Sequence, residues 1–197
     1  MHVNDLLKIA FTTRGGQPKW VELKNFKGPD STAVKLAASD FDKLTYTINT
    51  APGRTADITT FYFKVGGVTK GADGTQTINY QLQSPQGQAI VHQFVLKPGQ
   101  YMVDFNLQLA GVPQLLGGNT LNLTWQNKAI QLQKDLKYER TQSQIAYYVD
   151  GDYDYAAVTG GGSETFEEAT KWIGVKQQFF NTTLIAKNKT RCIFQFT

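Results

Sequence analysis

The chain has 197 residues, 41% of them hydrophobic, which suffices for a buried core and excludes a disordered segment. Charged residues are sparse at 18%, and the net charge of +4 comes from lysines and arginines that stand singly. That excludes the clustered basic stripe of a nucleic-acid binder; a weak attraction to anionic lipid is left open by the net charge and is not predicted from it. Cys192 is the one cysteine, so no internal disulfide forms. No apolar run approaches the ~18–20 residues that cross a bilayer. Taken alone, residues 1–197 are expected to be one soluble, monomeric domain.

Near the start, residues 6–13 and 18–23 flank Arg14-Gly15-Gly16 and read as a hairpin. Residues 25–33 and 50–59, with Gly, Pro, Asp and Thr, read as loops, and residues 44–48 and 61–65 as short strands. The clearest signal follows. Ile78, Tyr80 and Leu82 alternate with Asn79, Gln81 and Gln83. Tyr101, Val103, Phe105, Leu107 and Leu109 then alternate with Asp104, Asn106 and Gln108, and Leu121, Leu123 and Trp125 repeat the pattern. Period two means strands with one face on a core and one in water, the antiparallel habit. Ser84-Pro85-Gln86-Gly87 and Lys97-Pro98-Gly99-Gln100 carry turn chemistry, so residues 75–109 form a three-strand meander. Phe105, Leu107, Leu109, Leu123 and Trp125 share a phase and are expected to be buried.

The alternation fades after Lys128. Residues 131–140 have helix formers but a poor apolar stripe, giving a loop or one or two helical turns. Residues 159–162 read as a flexible link. Residues 163–170, SETFEEAT, read as a short helix capped by Ser163 with Phe166 inward. Next comes KWIGVKQQFFNTTLIAK, residues 171–187, the most apolar stretch, charged only by lysine. Its β-branched residues favour a strand, a tight turn around 177–180 and a second strand. Trp172, Ile173, Val175, Phe179 and Phe180 are expected to anchor the core; the competing reading is an exposed aromatic patch. The whole pattern is mainly all-β: a twisted antiparallel β-sandwich with one or two short helices.

Chemistry is harder to find. His92 shares its phase with Ile90 and Phe94, which fits a structural histidine better than a catalytic base. Cys192 has no base beside it and reads as an inert thiol. Asp150, Asp152 and Asp154 imitate the start of a calcium loop, but Tyr155 stands where Gly is needed and Gly161 where Glu is needed. Glu167 and Glu168 are neighbours and diverge rather than flank a bond. Arg14-Gly15-Gly16 lacks the ending of a phosphate loop. No catalytic, cofactor-binding or metal-binding residue is therefore expected. Tyr147, Tyr148, Tyr153 and Tyr155, beside Asp152 and Asp154, are the best hint of a binding surface, suited to stacking a sugar ring.

Four stretches, in order and spacing, carry a resemblance: LKIAFTTRGGQPKWVELKNF (residues 7–26), FVLKPGQYMVDFNLQL (94–109), IAYYVDGDYDY followed by EEATKW, and KWIGVKQQFFNTTLIA. Together they resemble the large periplasmic domain of YidC-type membrane protein insertases. The resemblance implies a sandwich similar to sugar-binding and mutarotase folds, on the periplasmic side of the bacterial inner membrane, in a multi-pass protein whose membrane segments do the insertion. It implies an accessory role, without enzyme activity or cofactor, beside SecDF-type components of the Sec translocon and nascent membrane proteins. It also implies further strands after residue 187, so residues 188–197 read as an atypical tail, the domain as truncated, and a sheet edge as open. A carbohydrate-binding or mutarotase-like module is the alternative.

Overall fold

A computed structural model describes residues 1–85, 87–116, 121–158, 161–190 and 193–196. The chain divides into two compact units, Met1–Lys27 with Ala33–Lys128, and Gly28–Thr32 with Ala129–Thr197. Strand pairing among the described residues is antiparallel throughout, and the helices are short. The mainly β class expected from the alternation is the class observed.

In the first unit, β1 (His2–Val3), β2 (Leu7–Thr12), β3 (Gln17–Lys27) and β4 (Ala33–Leu36) make one sheet in that order. Three short strands follow, β5 (Lys43–Thr45), β6 (Thr47–Ala51) and β7 (Arg54–Asp57), then a 3-10 turn at Ile58–Thr60. A second sheet is a meander of β8 (Lys64–Lys70), β9 (Gln76–Gln83), β10 (Ala89–Leu96) and β11 (Val103–Ala110). The one-turn helix α1 (Val112–Leu115) and β12 (Thr124–Gln126), which pairs with β5, complete the unit. The two large sheets meet face to face. Phe11 of β2 lies 4.8 Å from Phe94 and 5.8 Å from Tyr80, ring to ring. Leu7, Ile9, Ile78, Ile90, Phe94 and Leu96 are almost wholly withdrawn from solvent between the sheets. Each such side chain stabilises the sandwich by about 1.5–3 kcal/mol.

Three expectations need correction here. Of the five residues expected to be buried, Phe105, Leu107, Leu109 and Trp125 are half-buried and Leu123 is exposed. Phe105 does point inward, stacked 5.0 Å from Phe94, but β11 is an outer strand with neighbours on one side, and Leu123 precedes the short ladder of β12. Residues 50–59 are no loop: β6 and β7 pair across a turn at Pro52-Gly53, where Gly53 has φ +68°. Both strands are mostly exposed and polar, which hides them from a hydrophobic pattern. Part of 25–33 is strand as well, because β3 runs to Lys27.

The second unit holds α2 (Leu136–Thr141), capped by Asp135, whose carboxylate accepts the Tyr138 N–H at 2.9 Å. It continues through β13 (Gln144–Val149), β14 (Asp152–Ala157), β15 (Gly162–Thr165), β16 (Thr170–Lys176), β17 (Asn181–Thr190) and β18 (Ile193–Phe196). Four strands form a sheet in the order β14-β13-β16-β17, and β15 pairs with β18. The helix expected over 163–170 is instead β15 and a loop. An eight-residue helix is marginal by itself, and a ladder partner in β18 overrides the weak local preference. The strand, turn and strand expected over 171–187 is found: β16 and β17 close on a Gln177 N–H to Phe180 carbonyl bond of 2.7 Å. Cys192 and residues 159–160 of the expected link lie outside the described residues.

Candidate functional site

Period two separates the side chains of the second unit's sheet into two sets. Register places Tyr153, Tyr148, Trp172 and Ile185 in one row across β14, β13, β16 and β17. Tyr148 stacks on Trp172 at 6.3 Å, Tyr153 lies 6.0 Å from Trp172, and Tyr155 follows at 6.5 Å from Tyr153. Tyr153 and Tyr155 are about half exposed, at 53% and 50%, so this is a solvent face with an aromatic surface. The next row is small: Ala146 and Gly174 lie buried at its floor. A Cβ on Gly174 would stand 2.8 Å from Thr183 Oγ1, so glycine is what lets β17 approach.

Charge follows the same division. Lys171, at the bulge beside Trp172, holds its ammonium 5.3 Å above the Tyr148 ring, and Lys176 donates to Gln144 Oε1 at 3.5 Å on the same face. Among the described residues, no carboxylate occupies a same-phase paired position on these four strands: the partners are Gln144, Ala146, Tyr148, Tyr153, Tyr155, Ala157, Trp172, Gly174, Lys176, Asn181, Thr183 and Ile185. Asp152 and Asp154 have the opposite phase. Tyr147 shares it, opposite Asp154 and 4.7 Å from Phe166. Burial raises the Tyr147 phenol above its ordinary range, and the negative charges of Asp154 and Glu164 push it further the same way. The tyrosine and aspartate cluster suggested by residues 147–155 is thus split between two faces. Strand alternation (even acids, odd tyrosines in 152–155) carries that information in the sequence.

The opposite face packs. Ile145 and Ile173 are each 8% exposed. Of the five residues expected to anchor the core, Ile173 is buried; Trp172, Val175 and Phe180 are half-buried; Phe179 is 68% exposed. Phe179 sits at the hairpin tip, where no strand flanks it. The turn is instead held by a residue that hydrophobicity does not reveal. Gln177 is buried and donates its carboxamide to the Ile130 carbonyl at 2.6 Å and to Glu139 Oε1 at 3.3 Å. Glu139, 2% exposed, also accepts the backbone N–H groups of Leu132 and Gln133.

In the first unit, His92 is 2% exposed. Its Nδ1 is 2.9 Å from the Gly16 carbonyl and its Nε2 is 2.6 Å from the Tyr46 hydroxyl. A carbonyl only accepts, so Nδ1 carries the proton and Nε2 accepts from Tyr46. Burial lowers the His92 pKa below its usual value, against the opposing pull of the Gly16 and Gly15 carbonyls. Both ring nitrogens are thus taken up by hydrogen bonds to buried groups of the protein. Glu167 and Glu168 are exposed neighbours in a loop. Among the described residues, no group of three or more His, Cys, Asp or Glu side chains gathers as a metal ligand set.

This two-faced sheet, with its hairpin at 170–190, falls within a match to the family model of the YidC periplasmic domain that runs over residues 3–197. The chain belongs to the YidC periplasmic domain family. Among its relatives, the membrane protein insertase YidC of Phocaeicola vulgatus is 30% identical over 189 residues, covering 93% of this chain and 29% of that protein. The insertase of the same name from Parabacteroides distasonis is 26% identical over 187 residues, with the same two coverages of 93% and 29%. That of Cytophaga hutchinsonii is 27% identical over 176 residues, covering 88% and 28%. The chain therefore spans less than a third of the length of these YidC relatives. The YidC family match includes residues 188–197. These relatives lend no support to the carbohydrate-binding alternative. No helix among the described residues is long and apolar enough to cross a membrane.

Proposed function

We propose that this chain is the periplasmic accessory domain of a YidC-type insertase, a multi-pass inner-membrane protein that helps membrane proteins insert and fold, alone or with the Sec translocon. The observation that carries this reading is the family match across nearly the whole chain. The domain is not an enzyme. It acts as a monomeric spacer and docking module for SecDF-type partners, while membrane segments elsewhere in the protein act on nascent chains. The split of Asp152 and Asp154 from Tyr148, Tyr153 and Tyr155 favours this over a sugar-binding module. A sugar stacked on the tyrosines would find no carboxylate on its face to take its hydroxyl hydrogen bonds.

The test is complementation. In cells depleted of the parent insertase, the full-length gene lacking this segment is expected to restore membrane-protein insertion and to lose co-purification with SecDF-type partners. Loss of insertion while the membrane segments remain at normal level would overturn the accessory role.

A further inference from the structure

One face of the second unit's sheet presents two aromatic types, tyrosine and tryptophan, together with lysine, and carries no acid at a paired position among the described residues. Tyr148, Tyr153, Tyr155 and Trp172 share a face with Lys171 and Lys176. The two lysines make no ion pair among the described residues. Acidic side chains of the same hairpin take the opposite phase, where Asp154 faces Tyr147. Tyrosine and tryptophan with an apolar body and a polar tip suit the level of lipid headgroups, and lysine ammonium groups suit anionic headgroups there. A sheet face meant merely for water would mix both signs of charge and spare its large rings.

From this charge and ring complementarity we infer that the Tyr148–Trp172 face docks on the surface of a bilayer containing anionic phospholipid. The contact is peripheral: the rings settle among headgroups, the two lysines pair with lipid phosphates, and no segment enters the hydrocarbon. It rests on the reading of this chain as the part of an insertase that lies outside the membrane, and gives that part a fixed side toward the bilayer.

The experiment is co-sedimentation of the 197-residue chain with vesicles of phosphatidylcholine alone or of phosphatidylcholine with phosphatidylglycerol. Binding is expected with phosphatidylglycerol and to fall steeply with salt. A lysine near an anionic surface contributes about 5-fold in partitioning, so the double substitution Lys171→Gln, Lys176→Gln is expected to weaken binding about 30-fold. Lys134→Gln with Lys137→Gln, which removes the same net charge from exposed positions around α2, is expected to leave binding within about 2-fold, the remaining effect being long-range and screened. Tyr153→Ser with Tyr155→Ser is expected to weaken binding under conditions where the variant is still folded, with only a modest fall in urea midpoint from the lost ring contact of Tyr153 with Trp172, since both rings are half exposed. The inference is overturned by equal losses from the two lysine pairs, by absence of binding to anionic vesicles, or by binding of a soluble polyglutamate peptide at this face without vesicle binding. Absence of vesicle binding together with successful complementation would leave the accessory-domain reading standing and remove this inference alone.

Discussion

Gln177 and Glu139 hold the most apolar hairpin of the chain through a buried polar contact. The Gln177 carboxamide bridges the Ile130 carbonyl and the Glu139 carboxylate at 2.6 and 3.3 Å, and the same carboxylate satisfies the Leu132 N–H at 3.0 Å. One glutamate on α2 thus ties together the helix, the preceding loop and the β16–β17 turn. Buried donors and acceptors cost most when one partner is removed and the other is left dry.

Gln177→Ala is therefore expected to destabilise the chain by about 1–3 kcal/mol, read as a lower urea midpoint. Gln177→Glu is expected to be worse at neutral pH, because it sets a second carboxylate against Glu139. The negative charge beside it raises the pKa of the introduced carboxyl above the unfolded value of about 4.3. The penalty is present above that raised value and is relieved as pH falls through it. A Gln177→Glu variant that is no more stable at pH 5 than at pH 7, relative to the parent chain, would refute the contact.

His92 gives a second pH dependence with a defined sign. Its folded-state pKa lies below the unfolded value of 6.5, with burial as the largest cause. Below pH 6.5 the unfolded chain binds a proton that the folded chain resists. The stability from neutral His92 is thus complete above 6.5 and is lost as pH falls from there to the lowered folded value. The slope over that window is at most about 1.4 kcal/mol per pH unit. His92→Gln is expected to flatten the urea midpoint between pH 6.5 and 5, at the cost of a lower midpoint throughout. An unchanged slope in that variant would mean another group is responsible.

Gly16 supplies the carbonyl that fixes the His92 tautomer, and it does so from φ +55°. A Cβ there would lie 2.9 Å from Phe63 Cγ and 3.1 Å from Tyr80 Cβ. Gly16→Ala combines left-handed backbone strain of about 1–2 kcal/mol with that clash. Its urea midpoint is expected to fall further than that of Gly53→Ala, where φ is +68° but nothing lies within 4 Å. Equal losses at the two glycines would show that backbone strain alone matters.

Period two made the meander of β9 to β11 legible; the Arg14-Gly15-Gly16 turn marked the β2–β3 hairpin, and the β-branched residues of 171–187 marked its strand, turn and strand. The β6–β7 hairpin was hidden because both strands are polar and mostly exposed. Residues 163–170 were misread because local composition knows nothing of a partner strand ~30 residues later. The phase of His92 correctly pointed to the core, while its partners Tyr46 and Gly16, 46 and 76 residues away, follow from packing that one sequence does not state. Glu139 and Gln177 carry no hydrophobic signal at all.

The aromatic face was half legible. Its tyrosines stood out, but Trp172 was grouped with Ile173 in the core because the stretch is too apolar to leave in water as a whole. A strand resolves that conflict by sending neighbours to opposite sides. Ile173, 8% exposed, pairs with Tyr147 and Leu184 on the packed face, whereas Trp172 pairs with Tyr148 and Ile185 on the face that holds half-exposed Tyr153. Ile173→Ala is expected to cost about 2–5 kcal/mol through lost burial and the cavity left behind. Trp172→Ala gives up partial burial and the ring contacts with Tyr148 and Tyr153, the latter worth about 0.5–1.5 kcal/mol each. Its neighbours there remain hydrated, so no closed cavity forms. The isoleucine variant is expected to have the lower urea midpoint despite the smaller side chain removed, with the same denaturant slope in both. A tryptophan variant as unstable as the isoleucine one would place Trp172 in the core and take the solvent-facing aromatic row with it.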